Sequence, residues 1–191
     1  VRDFRLASSA KRVHAVKHRL CWICGQTLGR YLAFTVGPMC AVNLNTSEPP
    51  SHRECAEFAA KACPFLTLPD SMYRDKNLPE DAKSMPHLLA GNPGGAVVWV
   101  TRSFEPYRVP GSPGAWLIRI GPAVEVQWWV RGHLASRAEA LALLEARLPL
   151  LEQIAAQEGP DALAALAGMV TACKRWLPDD AVTRLADLAG H

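Results

Sequence analysis

The spacing of apolar positions changes along the chain, and the expected elements change with it. Residues 8–20, SSAKRVHAVKHRL, place Val13, Val16 and Leu20 on one side of a short helix that opens after Ser8 or Ser9, with the cations on another. Tyr31–Val36 and Met39–Leu44 are rich in β-branched, aromatic and other apolar residues and read as two short strands joined through Gly37-Pro38. Ser51-His-Arg-Glu54 has the form of a capping box, Ser51 as N-cap and Glu54 reaching back from the third position, so a helix is expected from His52. Between 64 and 95 the prolines at 64, 69, 79, 86 and 93 and the pair Gly94-Gly95 interrupt any period, which predicts a wrapping linker. Asn92-Pro-Gly-Gly95 reads as a turn in it.

A second set of elements follows. Ala96–Thr101, Ala115–Ile120 and Val124–Val130 are strand candidates, the last two joined as a hairpin by Gly121-Pro122-Ala123. Arg102–Gly114, with its Pro and Gly, reads as a long loop. Neighbouring strand residues point to opposite faces, so of Trp128 and Trp129 only one can face the helices. Ser136-Arg-Ala-Glu139 is another capping box, before a stripe of Leu141, Leu144, Leu148, Leu151 and Ile154 that Pro149 should kink or break near Arg147. Gly159 fits a C-cap and Pro160 the first position of a helix striped by Leu163, Leu166, Met169, Val170, Cys173 and Leu177. A last short helix is expected from Pro178 through Leu188.

The chemistry is concentrated early. Five of the six cysteines lie between 21 and 63. Cys21 and Cys24 form a CxxC knuckle followed by Gly25, and His52 and Cys55 stand three apart on the first turn of the expected helix. Three thiolates and one imidazole make a closed tetrahedral shell for Zn²⁺. Knuckle, hairpin, then a helix with two more ligands resembles a treble-clef zinc finger. Cys40, Cys63 and His18 are reserve ligands; His14 and His18 lack the intervening Glu of a zinc protease. The fold class expected is therefore α+β: a treble-clef-like zinc module, then a small antiparallel sheet with C-terminal helices. The organisation expected is residues 1–63 as basic helix plus zinc module, 64–95 as linker, and 96–191 as three-stranded sheet plus helical tail.

Charge adds a candidate partner. Net charge is only +3, yet residues 1–30 carry seven cations against Asp3 alone, while residues 64–191 hold 12 basic and 14 acidic side chains. A basic arm running into a zinc module points to DNA or RNA, with Lys11, Arg12, Lys17, Arg19, Arg30 and Arg53 as candidate contacts. A protein–protein adaptor or inhibitor with purely structural zinc is the alternative, and a metal-dependent nuclease a third class. Enzyme chemistry has little support. His52-Arg-Glu54 matches the HxE of zinc deaminases, but there the CxxC follows, and here it precedes. No catalytic residue is assigned. No apolar run has bilayer-spanning length, and the first residues lack the apolar core of a signal peptide. No membrane is expected, and reduced thiols in a cytoplasm fit the CxxC and HxxC spacing.

The stretch CWICG…SHRECAEFAAKACPFL also resembles small uncharacterised proteins of bacteria and their phages, and the likeness extends into VRGHLASRAEAL, LPLLEQIA and EGPDALAAL. The resemblance implies a bacterial or phage accessory protein that keeps its zinc knuckle and helical tail together; for the adaptor alternative the partner expected is a host or phage protein. The resemblance brings no known activity and no catalytic residue.

Overall fold

Seven consecutive buried residues, Gly95–Thr101, form strand β3, and the larger sheet is built on both its edges. The computed structural model describes residues 9–68, 94–111 and 115–179. β1 (Leu32–Val36) pairs antiparallel with one edge of β3, Phe34 opposite Trp99. β6 (Ala123–Val130) pairs with the other, Val98 opposite Gln127, and the short β7 (His133–Leu134) completes the order β1-β3-β6-β7. A strand covered on both faces needs apolar side chains at every position, which is why β3 reads AVVWV rather than alternating. Its odd and even positions go to different cores. Val97 and Trp99 join Phe34, Val36 and Trp128 on one face, and Ala96, Val98 and Val100 join Ala33 on the other. The expected division of the paired tryptophans holds: Trp128 is fully buried on the face covered by the C-terminal helices, and Trp129 is half-buried on the opposite one.

Helix α3 (Arg53–Ala62) covers the second face through Ala56 and Ala60, whose lack of bulk lets the helix lie close to the sheet. The Thr35 hydroxyl donates to the Ala56 carbonyl at 3.1 Å, tying β1 to it. A smaller antiparallel sheet places β5 (Trp116–Ile120) between β2 (Asn45–Thr46) and β4 (Phe104–Arg108). Two expectations are corrected here. Arg102–Gly114 is not only loop, because β4 lies within it and pairs Pro106 with Ile118. β5 and β6 are not a hairpin: Gly121 and Pro122 carry the chain from one sheet to the other. The turn is held by the Gly121 amide on the Ser103 carbonyl (3.0 Å) and the Trp99 indole on the Gly121 carbonyl (3.1 Å).

Met39–Leu44 is likewise not a strand. It is helix α2 (Pro38–Asn43), opened by Gly37 and Pro38 at its first position and ended by Leu44 in the left-handed region at φ 55°. A short apolar run is compatible with either element, and here Pro38, Met39, Ala41 and Val42 are all buried in the main core. A knuckle and a helix are therefore present without the expected hairpin between them. Residues before 64 and after 95 contribute to the same sheet. The linker begins with a short helix, α4 (Pro64–Thr67), and residues 69–93 lie outside the described residues.

At the N-terminal side α1 runs over Ser9–His18. The inward face differs from expectation: Arg12 and Ala15 are buried and Val16 half-buried, while Val13 is 49% exposed. The C-terminal helices follow the local signals. Ser136 and Glu139 form the capping box of α5 (Arg137–Glu145), the break falls at Arg147 before α6 (Leu148–Glu158), and Gly159 at φ 113° precedes α7 (Pro160–Lys174). Leu144, Leu166, Cys173 and Leu177 enter the main core, whereas Ile154, Leu163 and Met169 are exposed. Most of the helix expected from Pro178 through Leu188 lies outside the described residues.

Candidate metal centre

The CxxC segment is a closed turn before any ligand is considered. Leu20 and Thr27 bridge antiparallel, the Cys21 amide donates to the Gln26 carbonyl at 2.7 Å, and the Gly25 amide to the Cys21 carbonyl at 2.9 Å. Gly25 sits at φ 75°, where a side chain would be strained. The Cys24 amide points at the Cys21 sulfur at 3.5 Å.

The second pair of donors arrives from the start of α3. The expected capping box of Ser51 and Glu54 does not form; the N-cap is His52, one residue later, with no side-chain cap bond. Ser51 is held elsewhere. Its amide and carbonyl both bond Ala33 (2.7 and 2.9 Å), strapping residues 50–52 along the outer edge of β1. The Trp22 amide donates to the Pro50 carbonyl at 3.0 Å, so the strap also grips the knuckle. The His52 amide is left to point at the Cys21 sulfur at 3.4 Å.

The result is one cluster. The ligating atoms of Cys21, Cys24, His52 and Cys55 all lie within 4.8 Å of one another, and no other group of this kind occurs among the described residues. His52 Nδ1 is 3.4 Å from the Cys24 sulfur and 4.0 Å from that of Cys55. A tetrahedral zinc with ordinary Zn–S and Zn–N bonds separates a sulfur from a nitrogen by about 3.6 Å. On its far side His52 Nε2 lies 3.1 Å from the Thr27 carbonyl. A carbonyl can only accept, so Nε2 carries the proton and Nδ1 turns its lone pair to the thiols. No sequence pattern marks Thr27 for this role, because its backbone supplies the group.

The thiols are electrostatically unequal. Burial pushes Cys21 up, but the amides of Cys24, His52 and Ile23 and the Cys24 thiol outweigh it and bring Cys21 to about 6. Cys55 is pushed up to about 12 by burial and by the neighbouring Cys21 and Cys24. One thiolate forms readily, and further negative charge beside it is resisted unless a cation compensates. The donor set, the spacing and this charge deficit together fit a metal ion. Four protein donors fill a tetrahedral shell, the arrangement of a structural site rather than one open to substrate.

The reserve ligands do not join. Cys40 is in α2 against the main core, its thiol pushed up to about 11 by burial and by Glu48. Cys63 caps the opposite end of α3, and His18 packs against His14 with ring centroids 4.4 Å apart and the rings tilted by 44°. The six cations proposed from sequence separate into groups. Lys11, Lys17, Arg19 and Arg30 are exposed. Arg12 is buried, its Nη1 donating to the Ser47 carbonyl at 3.3 Å and its guanidinium 5.8 Å from the Trp116 ring centre. Arg53 is ion-paired with Glu57 and Glu125. Among the described residues, no helix is long and apolar enough to cross a membrane. Among family models, curated proteins and solved structures, none matches this chain.

Proposed function

We propose that the cluster holds a structural zinc ion and that the protein is a non-catalytic module contacting nucleic acid through α1 and the knuckle. Soft thiolates with one imidazole favour zinc over the hard cations. The ion would fasten the knuckle, and with it the C-terminal end of α1, to α3 and the edge of β1. The observation that carries the nucleic-acid reading is the charge of this surface. Residues 9–47 contain Lys11, Lys17, Arg19 and Arg30, all exposed, and no Asp or Glu. Arg12 and Arg53, engaged within the fold, are left out of the contact set.

Four cations on phosphates give a slope of log affinity against log salt of about −3 to −4 on duplex DNA. Titration of labelled duplex and single strands at several salt concentrations measures it. Replacing Lys11, Lys17, Arg19 and Arg30 with alanine should remove most of the slope while zinc stays bound. A wild-type protein that binds neither probe at micromolar concentration and low salt would turn the reading to a protein partner, for which Phe58, 65% exposed on α3, is the first surface to test.

A further inference from the structure

The exposed end of β1 sets an aromatic ring among arginines that are distant in sequence. Tyr31 precedes β1 and is 49% exposed. Because Leu32 pairs with Thr101, the next residue on β3's side, Arg102, falls beside it. Its guanidinium carbon is 5.2 Å from the Tyr31 ring centre, and Nη2 donates to the phenolic oxygen at 3.1 Å. Arg30 adjoins Tyr31 in the chain and is exposed. Arg19, across the knuckle, donates to the Gly29 carbonyl at 3.2 Å, which brings a third guanidinium to the same end. Glu57 and Glu125, on the neighbouring helix and strand, are directed to Arg53 instead.

We infer that this end of the sheet binds single-stranded nucleic acid, an unpaired base stacking on the Tyr31–Arg102 pair and the flanking phosphates meeting Arg30 and Arg19. The inference rests on the nucleic-acid reading above and narrows it from duplex or strand to strand. In a duplex the faces of the bases are covered by their neighbours, so a surface ring can receive a π-face only from an unpaired base. The guanidinium lies over the ring, adds a second planar face to the pair and supplies charge at the same point. Their mutual bond holds both side chains in place, which lowers the ordering cost when a base arrives.

The test uses the zinc-loaded full chain and two probes at low salt: a labelled oligothymidylate of about 15 nucleotides, within reach of one small binding surface, and the same strand annealed to oligodeoxyadenylate. Tyr31→Ala should weaken the single strand by about 5- to 150-fold and leave the duplex unchanged. Tyr31→Phe, which keeps the ring but loses the bond from Arg102, should weaken the single strand less than Tyr31→Ala does. Arg102→Met provides a second variant should Tyr31→Ala lose zinc, and it should also weaken the single strand selectively. Equal binding of the strand by wild type and both variants, with Lys11→Ala/Lys17→Ala weakening both probes, would overturn this inference and leave the nucleic-acid reading standing. Equal weakening of both probes by Tyr31→Ala would overturn it as well, since stacking is selective. Absence of binding to either probe would overturn both.

Discussion

Arg12 offers a direct separation of a structural cation from a functional one. The perturbation is Arg12→Ala, with Arg12→Met and Lys11→Ala beside it. In the folded chain the Arg12 guanidinium donates to the Ser47 carbonyl, lies over Trp116 and faces the Glu48 carboxylate. A hydrogen bond from a charged group contributes about 1.5–3 kcal/mol, and the contact with the indole about 0.5–1 kcal/mol. Burying the methylene stem beyond Cβ adds about 1.5 kcal/mol. Against these stand the rotamer freedom that the truncated side chain no longer loses, about 2 kcal/mol, and the cost of burying the charge. Burial itself pulls the guanidinium below its ordinary pKa, and Glu48 opposes that shift. The balance is a destabilisation of about 2–3 kcal/mol for Arg12→Ala, a fall in Tm of about 5–10 °C for a chain of this size. Arg12→Met keeps most of the stem and should cost about half as much, while exposed Lys11→Ala should stay within about 0.5 kcal/mol. Thermal and urea unfolding followed by circular dichroism measures all three. The reasoning fails if Arg12→Ala leaves Tm within about 2 °C of wild type yet lowers nucleic-acid affinity as Lys11→Ala does, for that is how a solvent-facing phosphate contact would behave.

Cys55→Ser should abolish stable zinc retention by elemental analysis, and chelation of the wild-type chain should lower the Tm read from Trp128 in the core as well as from the knuckle, because β1 joins the strap at Ser51 to β3. Structural zinc contributes on the order of 10 kcal/mol in finger peptides, so full zinc in the variant, or a core transition indifferent to chelator, would contradict the site. Ser136→Ala should cost about 1 kcal/mol through loss of the α5 cap. The Glu139 carboxyl is lowered by the Ser136 amide, against some burial, with help from the Ser136 hydroxyl and His133. A carboxyl lowered by folding stabilises above its unfolded pKa of about 4.3, and that contribution is lost as pH falls through the lower folded value. The acid limb of a stability profile should flatten only in part in Ser136→Ala, because residue 136 keeps its amide, and an unchanged limb would show that the hydroxyl adds nothing.

What was legible in the sequence is what is decided within one turn of chain. CxxC places two sulfurs on a knuckle and HxxC two donors at the start of a helix, so Cys21, Cys24, His52 and Cys55 could be read before any fold was known. The capping box at Ser136, the break at Pro149 and the Gly159-Pro160 junction are local in the same sense. The rest depended on partners far along the chain. Residues 39–44 suit either a strand or a helix, and burial on several sides chose the helix. β5 and β6 are joined by a short turn, yet pairing with β3 took β6 into the other sheet. Arg12 looked like one more exposed cation until Ser47, Trp116 and the core closed over it. The clearest contrast is between two tetrads of one pattern. Ser136-Arg-Ala-Glu139 forms its capping box, whereas Ser51-His-Arg-Glu54 does not. Ser51 gives both backbone groups to Ala33, and His52 turns its amide toward the Cys21 sulfur, so the helix begins one residue later. A local signal prevails only where no distant partner claims the same backbone groups, and that competition is settled by the tertiary structure.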